Sequence, residues 1–477
     1  MKLQLMSTAR RASMLATVAL LAACASDDGV APTARTVTPM TPSLATFDEG
    51  TPTGTYLVKV RQGAGLSTAD AAIASVGATV TRQISAANLM YVEGLTEQGA
   101  ATLASDPNIT VVQDRRMRWI PDANSLRPTF VDAKGGVSAS GTDQSAAQFY
   151  SQYQWSLKVT KADQAWAPSN GGSGEVVCDL DTGIDPGHLD TNGAVDPSRM
   201  VSVILTPRFA SDVTALDYNF HGTFVSAQIR SNGIGMASVA PNATLCAIKV
   251  LSEDGTGTFG DIIYGIFLAA KFNADVINMS LGGFVQETDP ANAPLLAILQ
   301  EVIDIARARG TIVVASSGND GYNMGDIREL FGYITIPAMM NGVVSVGATG
   351  PFQQQNFDKL TSYSNFGTND ALDMVAPGGN GGLTGGQTED YIISACSRYA
   401  FGGQCASGVR YLFGNGTSFA SPMVAGAAAV VESNVGSMPT GKLETCILST
   451  TDYVGGPRGR YGKGRLNVRA ASLCSGK

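Results

Sequence analysis

The sequence predicts an α/β fold, a parallel sheet with helices on both faces, preceded by a small ferredoxin-like α+β domain. Its 477 residues, of which 44% are hydrophobic and 15% charged, are enough to bury a large core. Residues 55–119 follow the order β-α-β-β-α-β, which is typical of a ferredoxin-like unit. In residues 151–477, continuous runs of Val, Ile and Ala separate helical stretches, and such runs indicate strands covered on both faces.

The first domain is expected to be a small module without catalytic groups, since residues 55–119 contain neither His nor Cys. Alternation and turn residues predict its strands and helices. These are strands at Tyr56–Val60, Thr79–Ile84, Leu89–Glu93 and Thr110–Gln113, and helices at Thr68–Ser75 and Glu97–Ser105. Residues 120–150 lack a clear period and are expected to form a linker.

The second domain is expected to hold the functional site, because ligands of parallel sheets bind beyond the carboxyl ends of the strands. The predicted strands are Gly174–Leu180, Val201–Leu205, Thr244–Leu251, Asp275–Ser280, Thr311–Ser316 and Gly342–Ala348. The predicted helices between them are Gly222–Arg230, Ile262–Asn273 and Ala293–Arg309.

Residues 1–23 have the features of an export signal. Basic residues precede the apolar run Met14–Ala23, which is too short to span a bilayer. The run ends in Leu21-Ala22-Ala23-Cys24, which resembles the processing box of bacterial lipoproteins, so an acylated Cys24 is expected to anchor the chain to a membrane. An ordinary secretory signal is the alternative, and either signal exports the chain. Residues 24–54, rich in Pro, Thr and Ala, are expected to form a flexible tether.

Charge and metal-ligand counts exclude several classes of protein. The chain has 32 Lys and Arg against 40 Asp and Glu, a formal charge of −8, and no basic block, which argues against a nucleic-acid partner. Two histidines and the absence of Cys-x2-Cys pairs exclude most zinc sites.

Export favours disulfides, and six cysteines remain beside Cys24. Proximity in the sequence favours the pairs Cys396–Cys405 and Cys446–Cys474. Cys178 and Cys246 lie in apolar, strand-like runs. The sequence leaves open whether they pair across neighbouring strands or stay as free buried thiols.

Two candidate catalytic residues lie at element boundaries. Asp181, in Asp-Thr-Gly, ends the first strand of the second domain. Aspartic proteases use the same tripeptide, but they need two carboxylates of this kind. The chain has no second Asp-Thr-Gly and no Asp-Ser-Gly. His221 opens His-Gly-Thr just before a predicted helix. The other histidine, His188, is expected in a surface loop.

A third candidate is Ser418, in Gly-Thr-Ser-Phe-Ala-Ser-Pro. Pro422 favours the first turn of a helix, predicted through Met423–Glu432, because its missing N–H costs nothing there. Ser418 is therefore expected at the positive end of a buried helix, where developing negative charge is stabilised.

The order Asp181, His221, Ser418 is that of the subtilisin triad, and residues 151–477 resemble subtilisin-like serine proteases. Other segments resemble family segments in the same order. They are 275–283 (DVINMSLGG), 313–320 (VVASSGND), 375–378 (VAPG) and 462–467 (GKGRLN). The resemblance implies a subtilisin-like parallel sheet and an exported endopeptidase that hydrolyses peptide bonds through an acyl-enzyme and requires no cofactor for its chemistry.

The resemblance also implies a role for each residue. Ser418 would attack the scissile carbonyl, His221 would act as general base, and Asp181 would orient the imidazole. Asn319 and the Ser418 backbone N–H would bind the oxyanion. The residues implied to bind the peptide substrate are Gly255, Thr256, Gly257, Phe259, Ser280, Leu281 and Gly282.

The first of these substrate segments also matches the G-x-G-x-x-G pattern of dinucleotide-binding folds. Ser280, not an acid, lies 20 residues after Gly260, so we favour a peptide edge to which substrate adds as a strand. In that interpretation Phe259 walls an apolar subsite.

The chain departs from the family pattern at several positions. Asp179 replaces an apolar strand residue and has no partner identifiable from sequence, and Phe224 replaces a second His. Residues 231–240 resemble a shortened calcium loop, so structural calcium is possible but no metal ligands can be assigned. Residues 379–413 are longer than usual and are expected to form a lid or a partner surface.

The first domain is similar to the inhibitory propeptides of subtilases. It is expected to act as an intramolecular inhibitor whose tail enters the active site. Self-cleavage is expected between 118 and 150, which would leave the propeptide on the membrane and release the protease.

Overall fold

The computed structural model of the chain describes residues 50–121, 129–133, 143–368, 370–381, 386–406, 410–436 and 438–474. The expected signal segment, Cys24 and nearly all of the tether lie outside this part of the chain. Within it, every helix is too short or too polar to cross a membrane.

Strands and helices are numbered in chain order. The strands are β1 Thr51–Val60, β2 Thr79–Ile84, β3 Leu89–Glu93, β4 Ile109–Arg118, β5 Thr129–Asp132, β6 Val176–Asp181, β7 Val195–Ser202, β8 Thr244–Lys249, β9 Thr256–Thr258, β10 Val276–Met279, β11 Gly283–Gln286, β12 Ile312–Ser316, β13 Tyr333–Ile336, β14 Val343–Thr349, β15 Met374–Pro377, β16 Ile392–Ala395 and β17 Arg410–Gly414. The helices are α1 Leu66–Ser75, α2 Glu97–Ala104, α3 Tyr150–Tyr153, α4 Trp155–Val159, α5 Ala162–Ala165, α6 His221–Ile229, α7 Phe259–Lys271, α8 Ala293–Ala308, α9 Met324–Phe331, α10 Thr417–Val435, α11 Thr440–Ser449, α12 Arg458–Tyr461 and α13 Val468–Ala471.

A parallel sheet with the strand order β15-β14-β12-β10-β6-β8-β7 forms the centre of the large domain. Its inner strands are buried along their whole length, as their continuous apolar runs predict. One face packs on α7 and α8, and the other face packs on α10. The predicted parallel sheet with helices on both faces is confirmed.

The N-terminal part folds as β1-α1-β2-β3-α2-β4, the predicted order. Its sheet is antiparallel, with the order β2-β3-β1-β4, and it continues into β9 of the large domain. Strand β4 pairs with β9 through Arg116 opposite Thr258 and Arg118 opposite Thr256. The N-terminal part is therefore joined to the large domain by a shared sheet, next to the start of α7.

Strands β7 and β5 differ from the sequence prediction. Strand β7 begins at Val195, six positions before the predicted start. The prediction missed this start because the edge strand contains Asp196 and Pro197 and lacks an apolar run. Strand β5 lies in the expected linker and pairs antiparallel with β17, where Asp132 and Arg410 form an ion pair at 2.9 Å. Four residues carry too little periodicity to predict such a strand.

Candidate active site

Asp181 and His221 form a buried pair at the carboxyl end of the parallel sheet. Asp181 is the last residue of β6, and His221 is the first residue of α6. The imidazole Nδ1 lies 2.8 and 2.9 Å from the two carboxylate oxygens of Asp181. A hydrogen bond of this kind fixes Nδ1 as the protonated nitrogen and leaves Nε2 as the basic one.

Asp217 holds the start of α6 in place, a residue that the sequence reasoning missed. Its carboxylate accepts hydrogen bonds from the backbone N–H groups of Phe220 and Thr223 at 2.9 Å, and from the hydroxyl of Thr182 at 2.8 Å. These bonds connect the segment after β6 to the first turn of α6, which carries His221. An Asp five residues before the predicted helix start was the available signal, since Asp readily accepts hydrogen bonds from the backbone near helix starts.

Ser418 lies in the first turn of α10, which begins at Thr417 rather than at Met423 as predicted. Pro422 is thus inside the helix and leaves the carbonyl of Ser418 without its usual partner. The hydroxyl of Ser280 donates to that carbonyl at 2.8 Å, which is why the helix tolerates the proline.

Ser418 and His221 line the same cavity, of about 250 Å³, and both side chains are buried. In this structure Ser418 Oγ donates to the carbonyl oxygen of Ser280 at 3.0 Å, and no hydrogen bond joins it to the described imidazole. Catalytic hydrogen bonds often form only when substrate is bound. Because Ser418 Oγ is bonded to the Ser280 carbonyl, the Ser418 side chain would have to rotate before it could donate to His221.

Asn319 lines this cavity as well. Its amide oxygen accepts hydrogen bonds from the backbone N–H of Thr417 at 2.8 Å and from the Thr417 hydroxyl at 2.9 Å. Because both groups are donors, the amide orientation is fixed and Nδ2 remains as the donor for a bound group.

Residues that follow β4 occupy the groove beside Ser418. The backbone N–H of Gly282 donates to the carbonyl of Trp119 at 3.1 Å, and the N–H of Trp119 donates to the carbonyl of Gly255 at 3.1 Å. The indole N–H of Trp119 reaches the carbonyl of Gly257 at 3.1 Å, and its ring lies 5.1 Å from that of Phe259. The two edges proposed for substrate thus hold a segment of this chain.

The remaining predicted substrate residues lie along the same groove. Thr256 belongs to β9, which pairs with β4, and Leu281 lines a cavity of about 370 Å³ together with Trp119, Asn319 and Ser418. Ser280 contacts Ser418 directly through two hydrogen bonds, one in each direction between the hydroxyl of one residue and the carbonyl of the other.

Asp179 is buried and has two partners, which corrects the expectation that none could be named. Its carboxylate accepts hydrogen bonds from Ser226 Oγ at 2.7 Å and from Asn278 Nδ2 at 2.9 Å. Burial, followed by the charge of Asp181, raises its pKa well above the ordinary range for aspartate.

The structure contains the disulfides Cys178–Cys246, Cys396–Cys405 and Cys446–Cys474. The two pairs predicted from proximity are present. Cys178 and Cys246 are directly opposite on the neighbouring strands β6 and β8, and this register allows them to bond. It settles the alternative that the sequence left open.

The shortened loop at 231–240 is held by protein groups. The carboxylate of Asp190 accepts from the backbone N–H groups of Ile234 at 2.8 Å and Gly235 at 3.0 Å, and from the hydroxyl of Tyr411 at 2.6 Å. His188 is buried rather than in a surface loop, because its imidazole lies 3.0 Å from the Arg410 carbonyl and packs on Tyr411.

One cluster of three carboxylates occurs among the described residues. It lies where β6 begins, whereas Asp181 lies where β6 ends. It comprises Glu175, Asp275 and Glu432. Burial and the repulsion between these acids raise the pKa of Glu175 to about 7 and that of Glu432 to about 8. Clustered acids raise one another's pKa in this way whether or not they bind an ion, so these values assign no metal to the cluster.

Comparisons with known proteins agree with this site. The profile of the subtilase family of peptidases matches residues 172–464. The chain is 32% identical to a thermophilic serine proteinase of Bacillus sp. (strain AK1) over 323 residues, 67% of each chain. It is 33% identical to subtilisin DY of Bacillus licheniformis over 320 residues, 67% of this chain and 98% of that protein.

A solved structure shares the fold. The epidermin leader peptide processing serine protease of Staphylococcus aureus superimposes with a TM-score of 0.70 at 23% identity, over 88% of this chain and 97% of that one. Subtilisins catalyse peptide hydrolysis without a cofactor, and the related subtilisins support export of this chain. Because the family profile covers most of the chain and two relatives are more than 30% identical to it, the chain belongs to the subtilase family and is a subtilisin-like serine endopeptidase.

Proposed function

We propose that Ser418 is the nucleophile of this peptidase, His221 its general base and Asp181 the residue that orients the imidazole. The observation that carries the proposal is the buried Asp181–His221 hydrogen bond at 2.8 Å, together with the cavity that His221, Ser418 and Asn319 line. These are the groups that acyl transfer to a serine requires.

The reaction begins when Ser418 Oγ leaves the Ser280 carbonyl and turns toward His221 Nε2. Nε2 takes the hydroxyl proton as Oγ bonds to the substrate carbonyl carbon, and Asp181 stabilises the imidazolium that forms. Asn319 Nδ2 and the Ser418 backbone N–H donate to the oxyanion. The imidazolium then protonates the leaving amine, and water hydrolyses the acyl-enzyme by the same steps.

Polypeptide substrates would bind as an added strand between 255–257 and 280–282. The main-chain bonds that Trp119 makes to Gly255 and Gly282 support this mode, since they are the bonds any extended peptide offers. The packing of Trp119 on Phe259 supports an apolar subsite at that position.

The N-terminal domain, 55–119, would act as an intramolecular inhibitor and be removed by self-cleavage within the linker 120–150. Trp119–Pro121 occupy the groove beside Ser418, and Thr129 begins a strand paired with β17. We therefore place the cleaved bond between residues 121 and 129. The proposal is completed by a signal peptide at 1–23, a tether at 24–54 and a catalytic domain at 151–477.

The test compares the full chain with Ser418→Ala, using Ser345→Ala as a matched control at another buried serine. Wild type and the control should hydrolyse casein and yield a fragment with a new N-terminus between 122 and 129. Ser418→Ala should remain full length after signal processing and leave casein intact. Equal processing and digestion by all three proteins would refute the assignment.

We further propose that Cys24 is acylated and anchors the precursor in the cell envelope, while cleavage releases the protease. A mass increase on Cys24 of membrane-bound Ser418→Ala, lost in Cys24→Ser, is expected. An unmodified Cys24 in the intact precursor would contradict the anchor.

A further inference from the structure

A buried polar network beneath the proposed triad joins the elements that carry it. At its centre is Asp179, 2% exposed, which lies on the same face of β6 as Asp181 because strand side chains alternate. One oxygen of Asp179 contacts Ser226 in α6, five residues after His221, at 2.7 Å. The other accepts from Asn278 in β10 at 2.9 Å, directly across the strand pair.

Asn278 extends the network to the serine. Its Nδ2 also donates to Ser280 Oγ at 3.0 Å, and its Oδ1 accepts a hydrogen bond from Ser421 in α10. Ser280 Oγ in turn donates to the carbonyl of Ser418, the group that Pro422 leaves without a helical partner. Asp179 is therefore connected to β6, α6 and α10, the elements that carry Asp181, His221 and Ser418.

We propose that Asp179 is a positioning residue that acts as a neutral carboxylic acid and fixes β6, α6 and α10 in the arrangement that catalysis needs. This inference rests on the triad proposed above. Asp179 contacts neither the imidazole nor the Ser418 hydroxyl, so it acts through Ser226, Asn278 and Ser280.

Burial beside a second acid favours the neutral form of Asp179. The Asn278 amide is oriented by Ser421 and donates to Oδ1, and the Ser226 hydroxyl, which donates to Oδ2 of the carboxylate, can turn to accept a proton carried by Oδ2 of the neutral acid. An ionised Asp179 would place a second negative charge beside Asp181. Burial and that repulsion raise the pKa of Asp179 by more than its hydrogen bonds with Asn278 and Ser226 lower it.

The other ionisable groups that surround Asp179 are few. Asp181 is on the same strand, His221 is on α6, Asp217 lies just before α6, and Lys249 is on the neighbouring strand β8. The described parts of β10 and of α10 up to Val431 contribute uncharged side chains. Asp181 and Asp217 both raise the pKa of Asp179.

Substitution can separate the hydrogen bonds of Asp179 from its charge. Asp179→Asn keeps an oxygen acceptor for Asn278 and offers an N–H that the rotatable Ser226 hydroxyl can accept, so it should retain the wild-type kcat. Asp179→Val leaves the Asn278 amide and Ser226 without this partner. We expect its kcat to fall by about tenfold or more with little change in KM, since misplacing a catalytic group by about 1 Å can cost about 100-fold.

The experiment measures kcat and KM on a peptide substrate from pH 5 to about 10 for wild type, both Asp179 variants, Ser226→Ala and the control Ser345→Ala. Asp179→Asn should leave the acid limb of kcat/KM unmoved. If Asp179 were ionised, removing its charge would shift this limb to lower pH. A shift of about half a pH unit or more would overturn the proposal, because it corresponds to a lost interaction between charges.

A kcat for Asp179→Val within about twofold of wild type would also overturn it. If the purified Asp179→Val remains in its uncleaved form, the rate of self-cleavage replaces kcat as the quantity compared with wild type. This comparison requires that the two proteins have the same unfolding temperature. If Asp179→Val does not fold, Ser226→Ala decides, and it should lower kcat more than Ser345→Ala does. Ser418→Ala separates the two proposals: activity of this variant close to that of wild type refutes the triad, whereas a fully active Asp179→Val refutes only the positioning role.

Discussion

Trp119 accepts a main-chain hydrogen bond from Gly282 at 3.1 Å, so the edge of the active-site groove holds a residue from the chain's own N-terminal side. The same residue donates to Gly255 on the opposite edge and packs its ring on Phe259. The groove of this peptidase is therefore occupied on the side where Trp119–Pro121 lie.

Trp119→Ala should weaken the hold of the cleaved N-terminal domain on the protease. Loss of a buried indole at an interface costs about 2 kcal/mol or more, which corresponds to about 30-fold in affinity. Gel filtration of self-cleaved protein measures the fragment that stays bound, and Trp119→Phe, which keeps an aromatic ring, is the control. Equal retention in the alanine variant would show that the groove contacts contribute little.

Asp114 should make this association depend on pH. It lies on β4, is buried against the start of α7, and accepts from the backbone N–H of Gly260 at 3.0 Å. Burial, followed by the charge of Asp261, raises its pKa to about 7 in the assembled protein. In the separated domain its pKa should return to about 3.9.

The assembled form thus binds a proton that the separated form releases. Association should be tightest near pH 4, weaken by up to about tenfold per pH unit as the pH rises to about 7, and change little above that. Asp114→Asn should flatten the profile of fragment retention, while Asp106→Asn, at an exposed acid of the same domain, should not. An unchanged slope in Asp114→Asn would assign the pH dependence to another group.

Asn319→Ala should lower kcat by about 10²–10³-fold with little effect on KM, because its Nδ2 is expected to bind the oxyanion only as it forms. Steady-state kinetics on a peptide substrate measure both constants. Asn341→Ala, at an exposed asparagine, serves as the control. A change confined to KM would mean that Asn319 binds the ground state instead.

The Cys178–Cys246 disulfide should contribute more to stability than Cys396–Cys405. The first links residues 68 apart in sequence and the second only 9 apart. Chain entropy then predicts losses of about 4 and about 2.5 kcal/mol in the free energy of unfolding for the paired alanine variants. Denaturant unfolding in the Ser418→Ala background, which prevents self-digestion, tests the order, and the reverse order would contradict it.

The sequence carries the architecture because its information is local. Buried strands such as Val176–Asp181 have apolar runs that stand out without any knowledge of their neighbours. Asp181, His221 and Ser418 lie in short motifs at strand and helix ends, so their position at one edge of the sheet could be expected from topology. Asn319 needed the family resemblance as well.

What sequence reasoning missed or left open depends on contacts between distant segments. The partners of Asp179 come from α6 and β10, and the Cys178–Cys246 bond depends on strand register. The helix through Pro422 requires a hydroxyl supplied by Ser280, 142 positions earlier in the chain. No local pattern reports these pairings.

The most direct test of the proposed triad is covalent labelling of the purified full chain with a fluorophosphonate, followed by peptide mapping. Labelling of wild type should fall on Ser418 and be lost in Ser418→Ala. It should be slowed by several orders of magnitude in His221→Ala, since the imidazole would no longer take the hydroxyl proton. Labelling of His221→Ala at the wild-type rate, or of a residue other than Ser418, would contradict it.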